Sequence, residues 1–278
     1  MLYNNVKDFT WEHIPMIDDT SKPALEILQP DWDQIKPANI DALMTLRSGG
    51  VSSGPFGDQT GVGGFNVGLY TGDVSFCIKM NRDLAAQLVP SNPKWLKQVH
   101  GTEVVDAETA SEEVEADASV SVTPGVVCVV QVADCLPVVL TDTQGRVVAA
   151  VHCGWRSLAG GILQKTVQRM RERIGDDQAS FIAWCGPRIG EENFEVGEDV
   201  LEAMQTMLPD ASSAFKPNEN GRYHASLVKL AQMALAQVNV NQIVVAKHNT
   251  YADAQKFYSY RRDGKTGRHA VMVWIKES

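Results

Sequence analysis

Residues 133–161 read ADCLPVVLTDTQGRVVAAVHCGWRSLAGG. Two apolar runs, Pro137–Leu140 and Val147–Val151, flank the turn-like Asp142-Thr143-Gln144-Gly145, which is the pattern of a β-hairpin. Cys135 stands just before the first run and His152 just after the second. A two-residue loop at Thr143-Gln144 sets the thiol and the imidazole opposite each other on one face, close enough to share a ligand or a proton. Arg156 and the pair Gly160-Gly161 follow, at the opening of the next helix. The hairpin is therefore expected to carry most of an active site.

Outward from the hairpin, residues 126–132 form a nearly continuous β-branched run, as in a strand buried on both faces. Downstream, Leu158, Ile162, Val167, Met170 and Ile174 repeat with helical period, with Lys165, Arg169, Arg171 and Arg173 turned to water and Gly175 as the stop. Helices are expected over 74–88, 198–208 and 226–238, and strands over 40–47, 181–185, 243–246 and 271–275. Residues 95–100 read as a strand stopped by Gly101, so His100 sits at a strand end. The acidic stretch Glu112, Glu113, Glu115 and Asp117 reads as a solvated face, although Asp117 alone is flanked by alanines. Strands and helices alternate irregularly. The expected class is α+β, a mixed-sheet domain and not a doubly wound parallel sheet. One domain over 41–278 is expected, with a Pro-rich N-terminal extension over 1–40.

The chain has 278 residues, of which 44% are hydrophobic and 21% charged, an ordinary balance for a globular fold. The formal net charge of −9 argues against nucleic-acid or anionic-membrane partners. No charged-then-apolar leader opens the chain, and no apolar run reaches the ~18 residues of a membrane span. Five cysteines, Cys77, Cys128, Cys135, Cys153 and Cys185, sit in apolar surroundings and read as reduced thiols of a cytoplasmic protein. A monomer or small homo-oligomer is expected.

Three readings of the chemistry stay open at this level. His100, Cys135 and His152 form a His₂Cys set whose fourth position is free, the arrangement of a catalytic zinc. The same Cys135 could be a nucleophile with His152 or His100 as its base. Alternatively Cys135 is a small buried hydrophobe and His152 a core histidine. Arginine is a second theme: Arg47, Arg156, Arg188, Arg261, Arg262 and Arg268 lie beside Gly, Ser or Tyr, and their guanidinium forks suit phosphate or carboxylate. The glycine-rich 48–54 loop could bring backbone N–H groups to an anion.

The blocks KQVHG (97–101), ADCLP (133–137), VHCGWR (151–156), SYRRDG (259–264) and TGR (266–268), with RSGGVS (47–52) upstream, resemble the YfiH/laccase-domain family. That family has been called multicopper polyphenol oxidase and, more recently, purine nucleoside phosphorylase with adenosine deaminase activity. The resemblance implies a sandwich of mixed sheets flanked by helices, distantly similar to cysteine-dependent toxin deamidases. It places zinc on His100, Cys135 and His152, with copper as the alternative ion. It implies a purine nucleoside and phosphate as substrates, with catalysis at the three ligands and Arg156. Arg47, Asn66, Gln98, Asp134 and Arg261 are expected to bind substrate; the proton shuttle is unassigned, with Asp134 and Glu103 the nearest candidates in sequence. The alternatives are a copper-dependent phenol oxidase, a hydrolase acting on cell-wall precursor peptides, and a binding protein without turnover. Ser157, Cys153, Asn249-Thr250 and Ser226-Leu227 depart from the family pattern, and none of them is a proposed ligand.

Overall fold

A computed structural model describes residues 25–277. Within it two sheets pack face to face between outer layers of helix. One sheet has four antiparallel strands in the order Ile27–Leu28, Ile40–Thr45, His269–Ile275, Cys128–Val132. The other has six in the order Gln242–Val245, Phe181–Cys185, Leu136–Asp142, Val148–Cys153, Ala118–Ser121, Val104–Asp106. Its two end pairings are parallel and the inner ones antiparallel, so the sheet is mixed.

The period of two along each strand sorts its residues between cores. Val139, Val148 and Ala150 of the six-stranded sheet face Met44, Val130, Val271 and Val273 of the four-stranded one. Leu136, Val138, Leu140, Ala149 and Val151 point the other way, under the helices Ile162–Ile174, Glu198–Met207 and Leu227–Ala236. The helix Ser75–Ala86 covers the outer face of the four-stranded sheet, where Phe65, Trp95 and Met272 pack. Central strands buried on both faces explain the near-continuous apolar runs in the sequence.

The expected extension splits. Residues 1–24 lie outside the described residues. From Leu25 onward the chain adds the Ile27–Leu28 strand to a sheet edge and sends Trp32 into the core between the sheets. Among the described residues, no helix is long and apolar enough to cross a membrane.

Four local expectations are corrected. The hairpin forms, but His152 pairs with Pro137 and not Cys135, two residues out of the expected register. The Asp142 carboxylate accepts the N–H groups of Arg146 and Val147, and Gly145 turns at φ +68°, so the loop is wider than two residues. The helix expected over 158–174 is two, Trp155–Ala159 and Ile162–Ile174, broken where Gly161 turns left-handed at φ +81°. Its arginines do not simply face water: Arg169 and Arg173 pair with Asp106, and Arg173 also with Glu108. Asp117, read as part of a solvated face, is fully buried.

Candidate metal centre and its pocket

The site lies where the chain crosses from one sheet to the other. Ala133–Cys135 is that crossover, joining the strand Cys128–Val132 to the strand Leu136–Asp142. Asp134 adopts φ +84°, a left-handed conformation that costs an ordinary residue ~1–2 kcal/mol. Three bonds hold it there: its carboxylate accepts from Thr250 Oγ1 at 2.6 Å, Ser259 Oγ at 2.9 Å and the Arg261 N–H at 2.7 Å. This turn delivers Cys135 to the seam. His152 arrives on the inner face of its strand, two residues beyond Ala150. A register slip of two residues preserves the face, so His152 and Cys135 still meet, diagonally.

His100 comes from outside the hairpin, on the loop after the short strand Leu96–Lys97, with φ +59°. Asp117 holds that loop. Its carboxylate accepts the backbone N–H groups of Val99 (3.2 Å), His100 (3.1 Å) and Gly101 (2.7 Å). The same carboxylate takes His152 Nδ1 at 2.7 Å. One buried anion thus fixes the backbone under one imidazole and the ring of the other. With Nδ1 of His152 committed to Asp117, its Nε2 is left as the donor toward the centre. Gly154 completes the packing: a Cβ there would lie 2.7 Å from His100 Cδ2 and 3.4 Å from Cys135 Sγ. The imidazoles meet edge to face, centroids 4.8 Å apart.

The ligand atoms of His100, Cys135 and His152 all fall within 4.8 Å of one another. Cys135 Sγ is 3.8 Å from His100 Nε2. One thiolate and two imidazoles suit zinc or copper, and three protein donors leave a position open to the cavity. Among the described residues this is the one such convergence of His, Cys, Asp and Glu. Burial pushes the Cys135 thiol up, but the charge of His152 and the contacts with both histidines outweigh it and bring the pKa down to about 6. Burial pulls His152 down, yet Cys135 and Asp117 raise it to about 9. Burial would likewise raise Asp117, but His152 and the N–H groups of Gly101 and Val99 hold it below the usual carboxylate range. Without a metal, these influences favour a thiolate beside an imidazolium. The geometry serves a ligand set or a nucleophile with its base.

A cavity of about 510 Å³ opens over these atoms. Of the expected site residues, His100, Cys135, His152, Arg156, Gln98, Asp134 and Arg261 line it; Arg47 and Asn66 do not. Arg156 lies over the Trp155 ring at 4.2 Å, and among the described residues its guanidinium has no acceptor. Arg261 donates to the Asn193 and Glu195 carbonyls and lies over Phe194. Gln98 spends its amide on the backbone of Gln131.

Arg47, expected to bind substrate, lies off the cavity wall and is bonded within the fold. It donates to the Gly57 and Ala254 carbonyls, pairs with Asp263 at 3.8 Å and lies over Tyr258. Asn66 is buried behind the wall, bonded to Thr71, Asp73, Gly68 and the Arg268 N–H. Asp134 has its carboxylate committed to three donors, and Glu103 does not reach the cavity, so neither is placed to shuttle a proton. Two residues were missed as site residues. Asp117 carried a signal in its flanking alanines. Arg268, which lines the cavity, carried one only as one arginine among six.

Comparison with known proteins supplies context for this geometry. A family model described as multi-copper polyphenol oxidoreductase laccase matches residues 41–276. A Haemophilus influenzae protein named purine nucleoside phosphorylase is 39% identical over 256 residues, covering 91% of this chain and 100% of that protein. The Escherichia coli purine nucleoside phosphorylase YfiH is 40% identical over 254 residues, covering 90% and 99%. The crystal structure of a Neisseria meningitidis protein superposes with a TM-score of 0.81 at 39% identity, covering 90% of this chain and 99% of that one.

Proposed function

The chain belongs to the multi-copper polyphenol oxidoreductase laccase family, and from that premise we propose that it is a zinc-dependent purine nucleoside phosphorylase. It would cleave adenosine, inosine or methylthioadenosine with inorganic phosphate, with adenosine deamination as a second activity of the same site. The observation that carries this reading is one cavity holding both a His-Cys-His donor set and, at Arg156, a guanidinium with no acceptor among the described residues. Relatives at about 40% identity bear the name purine nucleoside phosphorylase. The matched span of 41–276 supports taking residues 41–278 as the catalytic domain and 1–40 as an extension.

Phosphorolysis exchanges the bond from sugar C1′ to the purine for a bond from C1′ to a phosphate oxygen. The protein must hold a dianion against a neutral nucleoside and keep water from competing. Arg156 and Arg261, on the cavity wall, supply charge and bidentate donors for the phosphate. Trp155 and Tyr260 offer aromatic faces for the base. His100, Cys135 and His152 would hold the ion, and Asp117 keeps both histidines aimed. A bound zinc would supply Lewis-acid polarisation of a substrate oxygen.

A copper-dependent phenol oxidase is the second reading, favoured by the description of the family model. The described donors form a single three-ligand group, which suits one ion. One experiment separates the readings. The purified protein is assayed for metal content and incubated with adenosine or inosine, with and without phosphate, and the products are resolved by chromatography. Free base formed only with phosphate, by protein carrying about one zinc per chain, is the expected result. Inosine from adenosine without phosphate would show deamination alone. Turnover by metal-free protein would overturn the zinc assignment.

A further inference from the structure

Among the described residues, Arg268 is the cavity-lining arginine that is half-buried and incompletely bonded. It is the last residue of the TGR block and immediately precedes the strand His269–Ile275. Its Nη1 donates to the carbonyls of Thr266 (3.0 Å) and Gly267 (2.9 Å). Among the described residues, Nε and Nη2 make no bond, and the side chain lines the cavity. Its setting is built in three ways. Asn66 Oδ1 accepts the Arg268 N–H at 2.8 Å, and the same oxygen takes the N–H of Gly68 at 2.9 Å. Gly68 passes so close that a Cβ there would lie 2.6 Å from Arg268 Cγ. Tyr260 lies under the guanidinium, its centroid 5.7 Å from Cζ.

Burial bears on this cation more than any other influence, and the anionic groups acting on it are Cys135 and Asp134. Asp134 already satisfies three donors, and Cys135 belongs to the ligand set. The arginine therefore retains charge and donor capacity for something else. A charge-assisted bond to a half-buried guanidinium is stronger than one to an exposed guanidinium, where water competes more. Arg156 and Arg261 are exposed, and Arg261 is partly spent on carbonyls. Of the two substrates in the proposed reaction, the nucleoside is neutral and only phosphate is an anion.

Resting on the phosphorylase reading, we propose that Arg268 is the principal phosphate-binding residue, held in place by Asn66 and admitted by Gly68. The anion then sits against Arg268 in the cavity that Arg156 also lines.

The test measures binding of inorganic phosphate to the metal-loaded protein by calorimetry, without nucleoside, in wild type, Arg268→Gln and Gly68→Ala. Metal content and thermal unfolding are recorded for each. Gly68→Ala leaves the charge in place and displaces the side chain, so it serves if Arg268→Gln folds poorly. Both variants should bind phosphate at least tenfold more weakly. Phosphate KM should rise by a similar factor with nucleoside KM little changed, and free guanidinium should restore part of the activity of Arg268→Ala. Unchanged phosphate affinity in a folded, metal-loaded Arg268→Gln would overturn the proposal. So would a wild type that binds no phosphate, or variants that weaken adenosine 5′-monophosphate but not phosphate. If wild type binds phosphate through Arg268 yet never cleaves a nucleoside, the phosphorylase reading falls and the anion site stands.

Discussion

In the metal-free protein Cys135 sits against two imidazoles, and the charge it feels most is that of His152, whose ring the Asp117 carboxylate holds. The pull of the histidines exceeds the cost of burial, which is why its thiol falls to about 6 while Cys128 and Cys185, buried among apolar neighbours, are pushed up to about 12. Alkylation of the apo protein by iodoacetamide, mapped by mass spectrometry, should therefore modify Cys135 with a midpoint near pH 6 and leave Cys128 and Cys185 untouched. Zinc should protect it. A midpoint above pH 8 would show that the imidazoles do not face the thiol as described. Gly154 makes a second residue-scale claim. Its missing Cβ is the space that the His100 ring uses, so Gly154→Ala should cost at least tenfold in zinc affinity while circular dichroism stays that of wild type. Retained zinc affinity would mean that the ring has another place to go. The convergence of Cys135, His152 and His100 was readable from the hairpin and the strand-end histidine. Asp117 was half readable: flanking alanines mark a buried position, but three glutamates upstream make the stretch look solvated. Arg47 shows the opposite case. Its Gly and Ser neighbours look like a ligand loop, while its partners come from residues 57, 254 and 263, which no local pattern reveals.

At the scale of elements, the hairpin shows what a sequence can and cannot fix. The apolar runs determine that two strands pair and which face each residue takes. They do not determine the loop, because that depended on the Asp142 side chain capping its own turn. Parity saved the functional reading, since a two-residue shift leaves faces unchanged. The helix Ile162–Ile174 carries a different lesson. Periodicity gave its apolar stripe correctly and left its arginines to solvent. Packing on the strand Val104–Asp106 brings them instead onto Asp106 and Glu108. This clip tethers an edge strand, and it has a pH dependence. Burial raises the Glu108 carboxyl, but Arg173, the N–H of Val122 and the Ser121 hydroxyl bring it down to about 2, below its ordinary 4.5. A depressed carboxyl adds stability above the unfolded value and loses it as pH falls toward the folded one. Glu108→Gln should therefore lower the unfolding free energy at pH 7 by on the order of 1–2 kcal/mol, allowing for solvent screening. The gap to wild type should close between pH 4.5 and 2. A gap independent of pH, read from denaturant titrations, would assign the loss to packing and not to charge.

For the molecule as a whole, the site is a seam between two sheets that meet mainly through apolar side chains. Val148 and Ala150 of one sheet press on Val130, Val271 and Val273 of the other, and His152 continues the same face to the edge of that core. Cys135 stands on the crossover between the sheets, and His100 is carried by a loop that Asp117 ties to the six-stranded sheet. A single ion on the three ligands would join the crossover, the strand and the loop at one point, so metal binding should be felt as global stability. A ligand present at 1,000 times its dissociation constant stabilises the native state by about 4 kcal/mol. For a domain of this size that corresponds to a shift in Tm of about 10 °C. Chelation of the loaded protein should lower Tm by about that amount, and added zinc should restore it. His152→Ala should unfold near the chelated wild type and show no response to either treatment. If Tm is unmoved while metal analysis confirms that the ion has left, the seam holds through its apolar core alone and the centre is an attachment to the fold and no part of what closes it.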